Sequence, residues 1–106
     1  MTLPFPVPTV VRIEDVEPIQ VAPGISRRSL TATYFGDAWL IEFAPDTQWP
    51  DIDHHDTEER YFVLDGEIIE GEKRHPAGSY VTFAAGSSHQ PRSEIGARIL
   101  GINEVM

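Results

Sequence analysis

The apolar positions of this chain gather into short runs rich in β-branched and aromatic residues: Leu30–Phe35, Trp39–Phe43, Tyr61–Leu64, Tyr80–Phe83 and Arg98–Ile102. Most runs end at a turn signal, namely Gly36-Asp37, Ala44-Pro45-Asp46, Asp65-Gly66 or Gly86-Ser87-Ser88. The longest stretch without glycine or proline covers residues 51–65 and the next covers 25–35, leaving room for one or two helices at most. Strands recurring about every ten residues predict an all-β sandwich or barrel.

Asp65-Gly66 tolerates the positive φ angles of a tight hairpin, which predicts a turn between strands Tyr61–Leu64 and Glu67–Ile69. A helix starting at Asp56-Thr57-Glu58-Glu59 and capped by Gly66 is the rival reading. The aromatic and β-branched content of Tyr61–Leu64 favours the strand. Residues 3–8 read Leu3-Pro4-Phe5-Pro6-Val7-Pro8, and proline at every second position excludes a helix or a central strand. Residues 1–10 therefore form an extended arm, either frayed or lying across a partner subunit through Leu3, Phe5 and Val7. Residues 11–106 form one compact domain.

Composition narrows the function classes. The chain has 106 residues, 41% of them hydrophobic, enough for one core and too many for a disordered acidic tail. Seventeen acidic side chains against eight basic ones give a net charge of −9, and only Arg27-Arg28 and Lys73-Arg74 form basic pairs. No nucleic acid and no anionic membrane surface is expected as partner, because both are bound through clustered cations. The absence of cysteine removes disulfides and thiolate metal sites, so a metal here is held by His, Asp or Glu. The stretch MTLPFPVPTVVR has no positive charge before Arg12 and three prolines where a secretory leader needs an apolar helix. No run approaches the roughly 18 apolar residues of a membrane span. A cytoplasmic protein is the expectation.

The charge is not evenly spread. Nine of the 17 acids lie within residues 51–72 against one base, Arg60, which marks that segment as a candidate cation site. It contains Asp53-His54-His55-Asp56-Thr57-Glu58-Glu59. On an extended chain Asp53 and His55 share one face and His54 takes the other, with Glu59 in phase with the first pair. His89 follows in Gly86-Ser87-Ser88-His89-Gln90-Pro91. Imidazole with carboxylate suits Zn, Fe, Mn, Ni or Cu and leaves positions open for water or substrate. On the residues alone, His54-His55 also fits a solvated loop and His89 a surface position. His75, beside the Glu72-Lys73-Arg74 turn, reads as exposed. Trp39, Phe43, Trp49, Phe62 and Phe83 read as aromatics filling the interior, Trp49 being the one placed to reach a pocket or a subunit contact. Arg92 and Arg98 read as outward surface residues, with a substrate carboxylate as the alternative.

The order of these residues resembles the cupin family, whose first motif runs G-x5-H-x-H-x(3,4)-E-x6-G and whose second runs G-x5-P-x-G-x2-H-x3-N. Asp53-x-His55-x3-Glu59-x6-Gly66 reproduces the first spacing from its first ligand onward, and Gly78-x5-Ala84-x-Gly86-x2-His89-x3-Ser93 reproduces the second. Within cupins, Glu58-Glu59…Val63-Leu64-Asp65-Gly66, Pro76-Ala77-Gly78-Ser79-Tyr80-Val81 and Gly86-Ser87-Ser88-His89 most resemble the cupin-like domain of ChrR-type anti-sigma factors. The resemblance implies a double-stranded β-helix, or jelly-roll barrel, and a homodimer. It also implies a metal held by Asp53, His55, Glu59 and His89, with zinc first and iron or manganese as alternatives, since domains of that family can bind zinc.

The chain departs from the pattern in several places. Asp53 stands where the family has its first His, and His54 substitutes for it only if the strand bulges there. Thr47 replaces the opening glycine, Ala84 the proline and Ser93 the final Asn. No helical zinc-binding segment precedes the first motif, so the resemblance carries fold and metal site and not sigma-factor control. Two carboxylates nearly neutralise a divalent ion, which weakens its Lewis acidity and turns preference from copper toward Zn, Fe(II) or Mn(II). The expected function is a small metal-binding cupin, read as a dioxygenase-type enzyme acting on a small organic compound. The alternatives are a non-catalytic metal or ligand sensor and a metal-free cupin whose site is vacated.

Overall fold

The computed structural model describes residues 8–32 and 36–104 of the chain. Residues 1–7 of the expected arm lie outside the described residues, and Pro8, Thr9 and Val10 are exposed coil. The strands, in chain order, are β1 (Ile19–Ala22), β2 (Ile25–Ala32), β3 (Gly36–Phe43), β4 (Thr47–Gln48), β5 (Asp53–His54) and β6 (Glu59–Glu70). They continue with β7 (Lys73–Pro76), β8 (Tyr80–Phe83), β9 (Ser88–His89), β10 (Arg92–Ser93) and β11 (Ala97–Glu104). Among the described residues the helical content is a single 3-10 turn at Ile13–Asp15. The rival helix from Asp56 to Gly66 is thereby replaced by strand.

Every pairing is antiparallel. One sheet runs β1-β2-β3-β11-β6-β10-β4, with β7 and β8 also pairing with β6, and β5 pairs separately with β9. This curled all-β sheet bears out the sandwich or barrel that strand spacing predicts, in the jelly-roll form that the cupin resemblance implies. Register explains the core. Ile41, Ile99 and Val63 stand opposite one another across β3, β11 and β6, and Trp39, Gly101 and Tyr61 form the next row. These rows face inward, and Trp39, Ile41, Tyr61, Val63 and Ile99 are all buried. A Cβ on Gly101 would lie 2.1 Å from the Trp39 ring, so the glycine is what lets the indole lie across β11.

The expected hairpin at Asp65-Gly66 is not a turn. β6 runs through it, and the register with β11 shifts there, between the pairs Arg98↔Asp65 and Ile99↔Val63. Gly66 has φ +72 and a Cβ at this position would sit 1.9 Å from the Gly96 carbonyl oxygen, so the dipeptide forms a bulge against β11. The bulge reverses the parity of the strand. Glu59, Tyr61 and Val63 face inward before it, and Ile68 is in the core after it. The chain reverses at Gly71-Glu72 instead, where Glu70 pairs with Lys73, and this corrects the turn expected at Glu72-Lys73-Arg74. His75 accordingly lies on β7 opposite Ile68 and is half-buried rather than exposed.

Of the five aromatics expected inside, Trp39 and Phe43 are buried and Trp49 and Phe83 pack partly buried against the core. Phe62 is the exception at 39% exposed. It alternates outward between Tyr61 and Val63, and pairs on the outer face with Tyr80 and Leu100.

Candidate metal centre

Three short pieces of chain meet at one end of the curled sheet. Asp53 on β5 stands directly opposite His89 on β9. His55 follows β5, and its backbone is pinned by two hydrogen bonds: its N–H donates to the Ser87 carbonyl at 2.9 Å, and its carbonyl accepts from the Gly86 N–H at 2.7 Å. The turn that makes this possible is closed by Ser87 bonding the Ala84 carbonyl and by the positive φ of Gly86. Glu59 opens β6 and faces inward.

The ligating atoms of Asp53, His55, Glu59 and His89 all lie within 4.8 Å of one another. His55 Nε2 is 3.1 Å from a Glu59 carboxylate oxygen and 4.0 Å from one of Asp53. His89 Nε2 is 3.4 Å from a carboxylate oxygen of each. Neighbouring ligands around one divalent ion at bond lengths of about 2.0–2.2 Å stand about 3.0–3.4 Å apart, so the 3.1 and 3.4 Å separations fit one ion among them. The chemistry of the donor set agrees. His55 Nε2 is fully buried and has no hydrogen-bond partner despite its neighbour at 3.1 Å, an arrangement that is costly unless something else occupies the nitrogen. His54, the substitute considered for Asp53, is exposed and pairs across β5–β9 with Ser88.

A second layer of groups orients the four. Glu70 accepts from His89 Nδ1 at 3.0 Å and from the Tyr61 hydroxyl at 2.7 Å, which leaves His89 Nε2 facing the cluster. The Asn103 side-chain amide donates to Glu59 Oε1 at 2.9 Å and accepts from the Trp39 indole N–H, so Glu59 presents Oε2 inward. Phe83 stacks beside both imidazoles, with ring centroids 4.3 Å from His89 and 5.4 Å from His55. Burial by itself lowers the His89 pKa, but hydrogen bonds and charge from Glu59 and Glu70 outweigh it and raise the value to about 9. Burial, then the neighbouring Glu70 and Glu59 charges, push the Tyr61 hydroxyl far up. Tyr61 stays a neutral donor.

Beside the cluster lies a cavity of about 40 Å³ lined by Arg27, Trp39, Ile41, Phe43, Trp49, Asp53, Glu59, Tyr61, His89, Pro91 and Ile99. Trp49 reaches this pocket, one of the two places the sequence allowed it. Arg92 and Arg98 do not line it. Arg92 pairs with Glu94, and Arg98 with Glu42 and Asp65.

The family described as the ChrR cupin-like domain matches residues 7–103. The chain belongs to this family. No curated protein sequence matches it. The fold of this ChrR-like cupin recurs in the crystal structure of Rhodobacter sphaeroides SigE in complex with the anti-sigma ChrR, at 22% identity and TM-score 0.77 over 88% of the present chain. The match covers 52% of that chain, so the present one spans about half its length. An RmlC-like cupin from Shewanella frigidimarina matches at 18% identity and TM-score 0.74, covering 87% of this chain and 86% of that one. An acetylacetone dioxygenase from Acinetobacter johnsonii matches at 11% identity and TM-score 0.77, covering 98% and 77%.

In this ChrR-like cupin, four residues beside the cluster or its cavity were not legible in the sequence. Glu70 lay in the acidic run but at the wrong parity until the bulge is known. Asn103 reaches Glu59 only through the β11–β6 register, where the two stand opposite each other. Tyr61 looked like core, which it also is. Arg27 was visible only as half of a basic pair. Of the nine acids in residues 51–72, Asp53, Glu59 and Glu70 join the cluster or support it, while Glu58, Asp65 and Glu67 pair with arginines at the surface. No described helix is long and apolar enough to cross a membrane.

Proposed function

We propose that this protein is a divalent-metal cupin in which Asp53, His55, Glu59 and His89 hold the ion and a small molecule reaches it from the cavity. The observation that carries the reading is the buried, unpartnered His55 Nε2 amid three further ligating atoms, an arrangement an ion satisfies. The same observation counts against a vacated cupin. An ion at this position supplies Lewis acidity and an open coordination position, and zinc, iron and manganese all suit the donor set. The chain's own groups do the rest. Glu70 holds His89 in one tautomer, Asn103 aims Glu59, and Phe83, Trp39 and Trp49 set aromatic surface beside the ligands and the cavity.

A dioxygenase-type reaction on a small organic compound is the catalytic form of this proposal, supported by a mixed His and carboxylate set with space beside it. The 40 Å³ cavity favours a second form, a non-catalytic sensor, because it admits only a very small ligand. Metal analysis of protein purified without chelators or a nickel column tests the common ground, with about one equivalent expected. Less than about 0.1 equivalent, with no uptake on reconstitution, overturns it. Bound iron with substrate-dependent oxygen consumption supports the enzyme, and tight zinc without turnover supports the sensor. Asp53→Ala is expected to lower occupancy and His54→Ala to leave it unchanged; the reverse places the ligand register one residue off.

A further inference from the structure

Arg27 is out of place in its row. It stands on β2 opposite Ile41, which continues across the barrel to Ile99 and Val63, all buried apolar side chains. Arg27 itself is half-buried, and to the extent that its charge enters this row it is unfavourable unless a partner offsets the desolvation. Its guanidinium lies 5.7 Å from the centre of the Trp39 ring, a cation–π contact, but it has no ion pair or hydrogen bond among the described residues. The other arginines Arg12, Arg28, Arg60, Arg74, Arg92 and Arg98 each have a carboxylate within 4 Å. Arg27 instead lines the cavity that Asp53, Glu59 and His89 also line.

We infer that Arg27 and the metal together form a binding site for a small monoanion, a carboxylate the size of formate. The inference rests on the metal reading above and specifies its ligand. Two carboxylates and a divalent ion cancel, leaving the Arg27 charge as the net charge facing the cavity. Glu70 does not alter this facing charge, because it stands behind His89 and points at His89 Nδ1 and Tyr61. An anion with two oxygens matches the two-pronged donor face of guanidinium at one end and the open coordination position at the other. Walls of Trp39, Ile41, Phe43, Trp49 and Ile99 keep the pair in low dielectric, where such attraction is stronger than in water. Size sets the limit. A single water needs about 10–15 Å³, so 40 Å³ accepts roughly three heavy atoms and excludes an aromatic acid.

The test uses the full chain loaded with one equivalent of zinc, its metal content measured first, and titrates it calorimetrically with sodium formate, formamide and sodium benzoate. Formate is expected to bind, neither neutral formamide nor benzoate to do so, and Arg27→Gln to weaken formate binding by about tenfold or more. Cobalt-loaded protein should show its visible spectrum shifting with formate. Equal binding of formate and formamide, or formate affinity unchanged in Arg27→Gln, overturns the inference while the metal reading stands. Failure to take up metal overturns both. If Arg27→Gln does not fold, the formate and formamide pair on the unsubstituted chain decides alone.

Discussion

Replacing Glu70 probes the centre without touching a ligand. Its carboxylate, 12% exposed, is the shared acceptor for His89 Nδ1 and the Tyr61 hydroxyl. In Glu70→Gln the amide oxygen can still accept from His89, but the charge-assisted bond becomes a neutral one of roughly half the strength. Glu70→Ala leaves both donors buried without an acceptor, each a penalty of about 1–3 kcal/mol. Removing such an outer-shell partner typically lowers metal affinity about 10–100-fold. We therefore expect about tenfold weaker zinc binding in Glu70→Gln and approaching a hundredfold in Glu70→Ala, read by competition with a chromophoric chelator. The glutamine variant also lowers the His89 pKa and so relieves proton competition, which makes its deficit smaller at pH 7 than at pH 9. Affinities of both variants within twofold of the parent at pH 9, with matching thermal melts, would refute the orienting role.

The remaining predictions concern stability, protons and assembly. Gly66→Ala should lower stability by about 2 kcal/mol or more, a fall in Tm of roughly 10 °C, because φ +72 disfavours a side chain and its Cβ would meet the Gly96 carbonyl at 1.9 Å; a Tm within 2 °C of the parent, on the order of measurement scatter, removes the bulge argument. In the metal-free protein a His89 pKa raised to about 9 contributes stability that is fully present below its ordinary value of 6.5 and is lost as pH rises through 9. Metal must displace that proton, so zinc affinity should rise about tenfold per pH unit between pH 7 and 8.5, with about one proton released on binding at pH 7.5. Calorimetry in buffers of different ionisation enthalpy measures the release, and none detected contradicts the assignment. If the homodimer that the family resemblance implies is held through the apolar Leu3, Phe5 and Val7, deleting residues 1–8 should convert it into monomer in sedimentation; unchanged sedimentation refutes that role.

Local chemistry was enough to read much of this protein. Strand runs bounded by glycine and proline establish an all-β chain, because those residues interrupt helices wherever they fall. The resemblance to the cupin motifs brought Asp53, His55, Glu59 and His89 forward as a set, and alternation on an extended chain sorts Asp53 and His55 from His54 without tertiary information. Turn chemistry misled at one place. Asp-Gly is compatible with a hairpin and with a bulge alike, and only the partner strand β11, passing at Gly96, decides between them. That decision changes the parity of everything after residue 66 and is why Glu70 faces His89. Asn103 and Arg27 belong to the same class. Their roles depend on which strand lies opposite, and pairing between residues as far apart as Glu59 and Asn103 is set by the closing of the whole sheet. The sequence by itself determined the all-β class, through strand runs and the residues that bound them, and pointed to the candidate ligands through the spacing of the cupin motifs it resembles. Tertiary structure alone decided the orienting groups and the cation facing the cavity, because cross-strand register is a property of the assembled barrel.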